Sequence, residues 1–220
     1  MGQKTSRVYS VAERRSDAAV HFAGLTVVVF AVPTLIYLAT QWQIGTKEFL
    51  AVTVYGTCFA TMFFCSALYH MTSHPQWRLR FQRLDHTAIY LKIAGTYTPF
   101  AVFAGPPATW LLLGIWAVAI LGIVLKQLPI ERYRKFCLAL YVAMGWAVII
   151  VGQPLIANMN TISFVLLIIG GLIYTIGVIF YLQKSLRFHN TIWHIHVLLA
   201  SSILYASVFI EIRAEAFTFV

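Results

Sequence analysis

Histidines and one aspartate are the residues of this chain whose types and positions point to chemistry. All seven histidines lie at or near the ends of hydrophobic segments that, by charge, face one side of a membrane, and Asp85, one of seven acidic residues, lies with them. Isolated charges and imidazoles are costly near lipid, so their grouping at one depth indicates a shared polar site. Imidazole is the commonest protein metal ligand, and a nearby carboxylate orients a ligand or activates bound water. The pattern therefore suggests a metal centre.

Spacing along the predicted helices groups some of these side chains. Residues four apart share a helix face, and three sets have this spacing: Ser66 with His70, Asn190 with His194, and Glu13 with Asp17 and then His21. A catalytic zinc site needs three protein ligands and one open position. From the residues alone, a metal site at His70, Asp85 and His194 and a set of ordinary polar anchors at the membrane interface are both open interpretations.

Composition limits the class of protein that can position such a site. The chain has 220 residues, of which 60% are hydrophobic and 10% are charged, whereas soluble domains have about 25% charged residues. Long unbroken apolar runs favour helices over a β-barrel. We therefore predict an all-α polytopic membrane protein. The three cysteines, Cys58, Cys65 and Cys137, lie in apolar stretches and predict packing rather than disulfides.

Seven segments approach the ~20 residues needed to span a membrane. They are predicted at Ala18–Ala39, Glu48–Tyr69, Asp85–Ala104, Thr109–Lys126, Phe136–Ile156, Ile162–Leu182 and Thr191–Ile212. The predicted organisation is an N-terminal cytoplasmic segment (1–17), one seven-helix domain (18–212) and a short C-terminal tail (213–220). We find no linker or internal repeat.

The basic residues predict how the helices are oriented. Thirteen of the 16 lysines and arginines fall in the N-terminal tail and in alternate loops, which by the positive-inside rule places the N-terminus in the cytoplasm and the C-terminus outside. The net charge of +9 is then an orientation signal, and we expect no nucleic-acid partner. Lys92 lies within the third span on nearly the same face as Asp85, where it either neutralises a carboxylate or extends toward the interface.

Several motifs then resemble one family across nearly the whole chain. They are Ser66-Ala-Leu-Tyr-His70, Leu84-Asp85-His86-Thr-Ala-Ile-Tyr90, Ala94-Gly-Thr-Tyr-Thr-Pro-Phe100, Tyr141-Val-Ala-Met-Gly-Trp146 and Ile192-Trp-His194. The pattern Glu13, Asp17, His21 and Gly24 is also similar, with Asp17 where an asparagine is common. The sequence resembles the bacterial hemolysin III proteins, which are related to the progestin and adipoQ receptors and more distantly to the alkaline ceramidases.

This resemblance implies a seven-helix fold with a cytoplasm-facing zinc site. The family's serine-x3-histidine motif maps onto Ser66 and His70, its aspartate onto Asp85, and its final histidine pair onto Asn190 and His194. The chain departs from the family at Asn190. His189, one residue earlier, completes the site if the helix start is irregular, because it otherwise points about 100° away. His196 is a poorer substitute, and His21 is a further polar candidate.

Three functions remain open from the sequence. The first is a zinc-dependent hydrolase of a lipid amide or ester in the bacterial inner membrane, with His70, His194 and His189 holding Zn²⁺, Asp85 as general base and Ser66 stabilising the oxyanion. The second is a non-enzymatic regulator or sensor of membrane homeostasis, which would need a partner protein. The third is a lytic pore, which the absence of a secretion signal disfavours.

Overall fold

The fold of this chain is a bundle of α-helices. The computed structural model describes residues 9–127 and 130–217. Its helices are α1 (Val11–Gln41), α2 (Thr46–Met71), α3 (Pro75–Phe103), α4 (Thr109–Gln127), α5 (Ile130–Val151), α6 (Gln153–Ile156), α7 (Thr161–Leu182) and α8 (His189–Ala216). A short 3₁₀ turn, Pro106–Ala108, precedes α4. The described residues contain no strand, so the all-α prediction is confirmed.

Within residues 9–127 and 130–217, five helical stretches are long and apolar enough to cross a membrane. By length and composition, they are Val11–Gln41, Thr46–Met71, Pro106–Gln127, Thr161–Leu182 and His189–Ala216. The predicted count of seven spans and the orientation of the termini stay predictions. Apolar side chains on the outside of the bundle fit a lipid environment, since Trp110 is 81% exposed and Phe30 on α1 is 69% exposed.

Two helices begin well before the apolar segments that predicted them. α1 starts at Val11 rather than Ala18, because Ser10 and Glu13 form a capping box in which each side chain accepts a hydrogen bond from the other's backbone N–H. α3 starts at Pro75 rather than Asp85, with the proline in its first turn. Arg78, Arg80 and Arg83, which the predicted spans place in the loop between the second and third spans, therefore lie on α3. Hydropathy marks where lipid begins, and these helices continue past that point.

The predicted end of the fifth span is also interrupted. α5 ends at Val151, and after Gly152 a separate short helix, α6, covers Gln153–Ile156. The predicted single segment Phe136–Ile156 is thus two helices. Pro154 lies in the first turn of α6, where its missing N–H costs no helical hydrogen bond.

The helices form a ring around a central cavity. α1 packs on α2 and α8, α7 packs on α8, and α3 contacts α2, α4, α5 and α8. Close approach of α2 and α3 depends on Gly95, since a Cβ at this position would lie 2.6 Å from the Cys58 Cβ. The N-terminal end of α1, the C-terminal end of α2 and the N-terminal end of α8 meet at the same end of the ring.

Candidate metal centre

Four side chains at that end of the bundle form a group that could hold a metal ion. Asp17 and His21 of α1, His70 of α2 and His194 of α8 each offer one ligand atom, and these atoms lie within 4.8 Å of one another. Asp17, His21 and His194 are buried, and His70 is partly buried. We call these four residues the histidine cluster.

The Asp17 carboxylate joins two of the imidazoles. Its Oδ1 lies 2.6 Å from His194 Nδ1, and its Oδ2 lies 3.0 Å from His70 Nδ1. Each ring nitrogen donates to the carboxylate when it carries the proton, which leaves the Nε2 atom of that ring as the ligand. A carboxylate in this position fixes both the tautomer and the direction of the two rings.

His21 is the third imidazole of the cluster. Its Nδ1 lies 2.7 Å from the Asp17 carbonyl oxygen one turn earlier on α1, and its Nε2 lies 3.3 Å from Ser66 Oγ. The ring stacks on His70 with centroids 4.9 Å apart and meets His194 at 4.4 Å. Three imidazoles from three helices therefore converge.

Ser66 and Asp85 lie beside the cluster. Ser66 contacts His21 and also lies next to the Asp85 carboxyl group on α3. Asp85 is buried, and it lines the same cavity as His70 and His194. The structure thus brings Ser66, His70, Asp85 and His194 to one cavity. The family motifs predicted these four residues, together with Asn190 or His189, in a shared site.

The remaining candidates from the last helix lie outside the group of four. His189 is the first residue of α8, and its Nε2 lies 3.1 Å from the Tyr9 hydroxyl. Asn190 lines the cavity without joining the cluster. His196 turns to another face, where its Nδ1 lies 2.8 Å from the Ile192 carbonyl and its ring packs near Phe180.

Asp17 is the residue that sequence reasoning left out. The apolar segment was predicted to begin at Ala18, which placed Asp17 in a polar tail. The signal was present, because Glu13, Asp17 and His21 are each four residues apart and therefore share a helix face. Once the capping box starts α1 at Val11, Asp17 lies inside the helix and faces the bundle.

Contacts between α1 and α8 hold Asp17 in register with His194. The Glu13 Oε1 atom accepts a hydrogen bond from the Phe188 backbone N–H at 3.2 Å, and Ser16 Oγ lies 2.9 Å from Thr191 Oγ1. Phe188 precedes α8 as its N-cap residue in a left-handed conformation (φ 61°). The chain reversal before the last helix is thereby anchored to the first.

The cluster opens into a cavity of about 610 Å³. Its polar wall includes the histidine cluster, Ser66 and Asp85, while its deeper wall is mainly apolar and includes Phe63 and Ile93. Buried Lys92 also lines this deeper part. A cavity of this volume with polar groups at one end suits an amphiphilic ligand.

Comparison with known proteins assigns the family. Residues 10–205 match the family model described as haemolysin-III related. The chain is 37% identical to "Hemolysin-3" of Bacillus cereus over 98% of its length and 100% of the relative's. It is 32% identical to "Hemolysin-3 homolog" of Bacillus subtilis, covering 90% of this chain and 93% of that protein.

A more distant similarity extends to animals. The chain is 30% identical to the human "Monocyte to macrophage differentiation factor" over 73% of its own length and 70% of the relative's. This match supports the relation to the progestin and adipoQ receptors. The fold and the histidine cluster define a multi-pass helical membrane protein with a candidate metal centre. The chain belongs to the haemolysin III family.

Proposed function

We propose that this protein is a zinc-dependent hydrolase that cleaves an amide or ester bond of a membrane lipid. The observation that carries the proposal is the histidine cluster, which lies beside a buried carboxylate, Asp85, at the polar end of an apolar cavity. In this proposal His21 takes the ligand position that sequence reasoning gave to His189, because His21 is the imidazole within reach of His70 and His194.

The donor set of the histidine cluster fits zinc. Imidazole nitrogen and carboxylate oxygen bind Zn²⁺ at about 2.0–2.2 Å, which places tetrahedral donors roughly 3.5 Å apart. The four ligand atoms lie within 4.8 Å of one another, so small rotations of the side chains bring them to that spacing. His21, His70 and His194 would hold the ion, and Asp17 would either join them or orient two of the rings.

Asp85 and Ser66 supply the remaining chemistry. A zinc ion at this position would lower the pKa of its bound water toward ~7. Asp85 accepts the proton of the attacking water and then delivers it to the leaving group, as a general base followed by a general acid. The Ser66 hydroxyl, beside Asp85, donates a hydrogen bond to the developing oxyanion.

The cavity supports a lipid as the substrate. Its apolar wall would accept an acyl chain, while the scissile carbonyl lies at the histidine cluster. With seven spans and a cytoplasmic N-terminus, this end of the bundle faces the cytoplasmic leaflet of the bacterial inner membrane. A lipid amide in that leaflet would approach the cluster between helices.

A comparison of wild type with the variants Asp85→Asn and His194→Ala tests the proposal. Metal content and release of fatty acid from ceramides and acyl amides are measured for each purified protein. We expect Asp85→Asn to keep its zinc and to lose at least ~100-fold in activity, and His194→Ala to lose both. A zinc-loaded wild-type protein that releases no fatty acid from any of these lipids would refute hydrolysis.

One observation favours a second candidate, a non-enzymatic regulator of membrane state. The ligands of the histidine cluster come from α1, α2 and α8, so a bound ion would tie three helices together whether or not chemistry follows. In that case Asp85→Asn would leave the cellular function intact, while removal of His70 or His194 would abolish it. The Asp85 variant therefore separates the two candidates.

A further inference from the structure

Lys92 on α3 is a buried amine with fewer hydrogen-bond acceptors around it than it has N–H donors. The side chain is 3% exposed, and its Nζ lies 3.0 Å from Thr96 Oγ1. The Nζ also lies 4.7 Å from the Tyr55 ring centroid and 4.8 Å from that of Phe59. Within residues 9–127 and 130–217, no carboxylate pairs with it. An ammonium group has three donors, of which Thr96 accepts one. The two aromatic faces attract the charge but offer no hydrogen-bond-accepting oxygen.

A second buried group beside Lys92 also lacks a partner. The Tyr55 side chain is 0% exposed, and its hydroxyl forms no hydrogen bond with the described part of the chain. Buried polar groups without partners are costly, and each such group in a native protein calls for an explanation. Lys92 lines the same cavity as the histidine cluster, so a ligand in that cavity can reach it.

Helix geometry gives the separation of the two polar ends. Phe59 precedes His70 by eleven residues on α2, and Thr96 follows Asp85 by eleven on α3, a rise of about 16 Å in both cases at about 1.5 Å per residue. Because Lys92 Nζ contacts both Phe59 and Thr96, it lies about 16 Å from the histidine cluster, measured along the helix axes toward the other end of the bundle. An extended chain advances roughly 1.25 Å per carbon with C–C bonds of about 1.5 Å, so about twelve carbons cover this distance.

We propose that Lys92 is a second ligand-binding site in this cavity, which takes a hydrogen-bond-accepting oxygen at the far end of an acyl chain. The first polar group of that ligand lies at the histidine cluster, and its apolar middle lies along Phe63 and Ile93. The oxygen belongs to a hydroxyl or a carboxylate. The acyl nature of the ligand rests on the proposed function, whereas the need for a second polar group rests on Lys92 alone.

Binding of three twelve-carbon acids to the purified full-length protein tests this inference. Dodecanoic acid, 12-hydroxydodecanoic acid and dodecanedioic acid compete with a fluorescent fatty acid for wild type, Lys92→Met and the control Lys47→Met, which makes the same change at an exposed lysine outside the cavity. We expect wild type to bind 12-hydroxydodecanoic acid, dodecanedioic acid or both about ten-fold tighter than dodecanoic acid, which lacks an oxygen at carbon 12. That preference should fall to within about two-fold in Lys92→Met and persist in Lys47→Met.

Chain length provides a test within the wild-type protein, so the inference stays falsifiable if Lys92→Met fails to fold. The preference should disappear for 8-hydroxyoctanoic acid against octanoic acid, because the shorter chain does not reach Lys92. Equal binding of all three twelve-carbon acids, or an undiminished preference in Lys92→Met, would overturn it. If the protein hydrolyses lipids but shows no preference for the acids with a second polar end, this inference alone fails. If it shows the preference but hydrolyses no lipid, only the proposed function fails.

Discussion

Asp17 Oδ1 lies 2.6 Å from His194 Nδ1, although the two residues are 177 positions apart in the chain. The same carboxylate reaches His70 Nδ1 with its other oxygen. A residue that sequence hydropathy assigns to a polar tail is therefore the group that orients two imidazoles of the candidate metal centre. Its role gives the most direct test of the site.

Asp17→Asn should weaken metal binding by about 10–100-fold, because loss of a carboxylate beside a ligand histidine has an effect of this size. The amide has nearly the same shape as the carboxylate, so the helix and its cap should remain. Zinc affinity is measured by competition with a chelator of known affinity. Glu48→Gln, at the opposite end of the bundle, is the matched control, and equal affinities in both variants would exclude Asp17 from the site.

His21→Ala and His189→Ala should differ in metal content. His21 is within 4.8 Å of the other ligand atoms, whereas His189 lies against Tyr9. We expect elemental analysis to show a large loss of zinc for His21→Ala and near wild-type zinc for His189→Ala. The reverse result would restore His189 as the third imidazole, as the sequence suggested.

Glu13→Ala should destabilise the protein by about 1–2 kcal/mol, because the side chain caps α1 and accepts the Phe188 backbone N–H. Thermal unfolding in detergent measures the change. Glu13→Gln keeps an acceptor oxygen and the capping-box geometry, so it should lie closer to wild type. Unchanged unfolding of the alanine variant would show that this link does not stabilise the bundle.

Removal of metal should lower the stability of wild type. A ligand that binds only the folded state at 100 times its Kd adds about 2.7 kcal/mol, and the histidine cluster joins three helices. Unfolding is followed with and without a chelator, and His194→Ala serves as the control because it should not respond. A wild type insensitive to chelator and to added zinc would argue against a metal at the cluster.

Composition and periodic apolar runs predict the helical class well, since no other fold satisfies the backbone of such long hydrophobic segments in lipid. They place helix ends poorly. The first turn of α1 and the first ten residues of α3 mix charged and apolar side chains, and their helical state depends on the Ser10–Glu13 cap and on Pro75 rather than on lipid. The position of Asp17 in the site follows from that local chemistry.

The membership of the cluster was only partly predictable. Motif spacing groups Ser66 with His70, because residues four apart share a helix face whatever the tertiary packing. The expectation that Asp85 and His194 lie near them came from the family resemblance. Which further imidazole reaches them depends on how α1 and α8 pack, which spacing within one helix does not encode. Lys92 illustrates the same limit, since its side chain extends toward Thr96 and the Tyr55 ring rather than pairing with a carboxylate.

The contribution of ligands from both the first and the last long helix has a consequence for biogenesis. During synthesis Asp17 and His21 enter the bilayer early, and His194 follows after most of the polypeptide has been inserted. Until then the carboxylate has only part of its final surroundings. Under the proposed function, capture of an ion would therefore be a closing event of assembly, and a ribosome-bound intermediate that lacks α8 would hold the early ligands without a completed coordination shell.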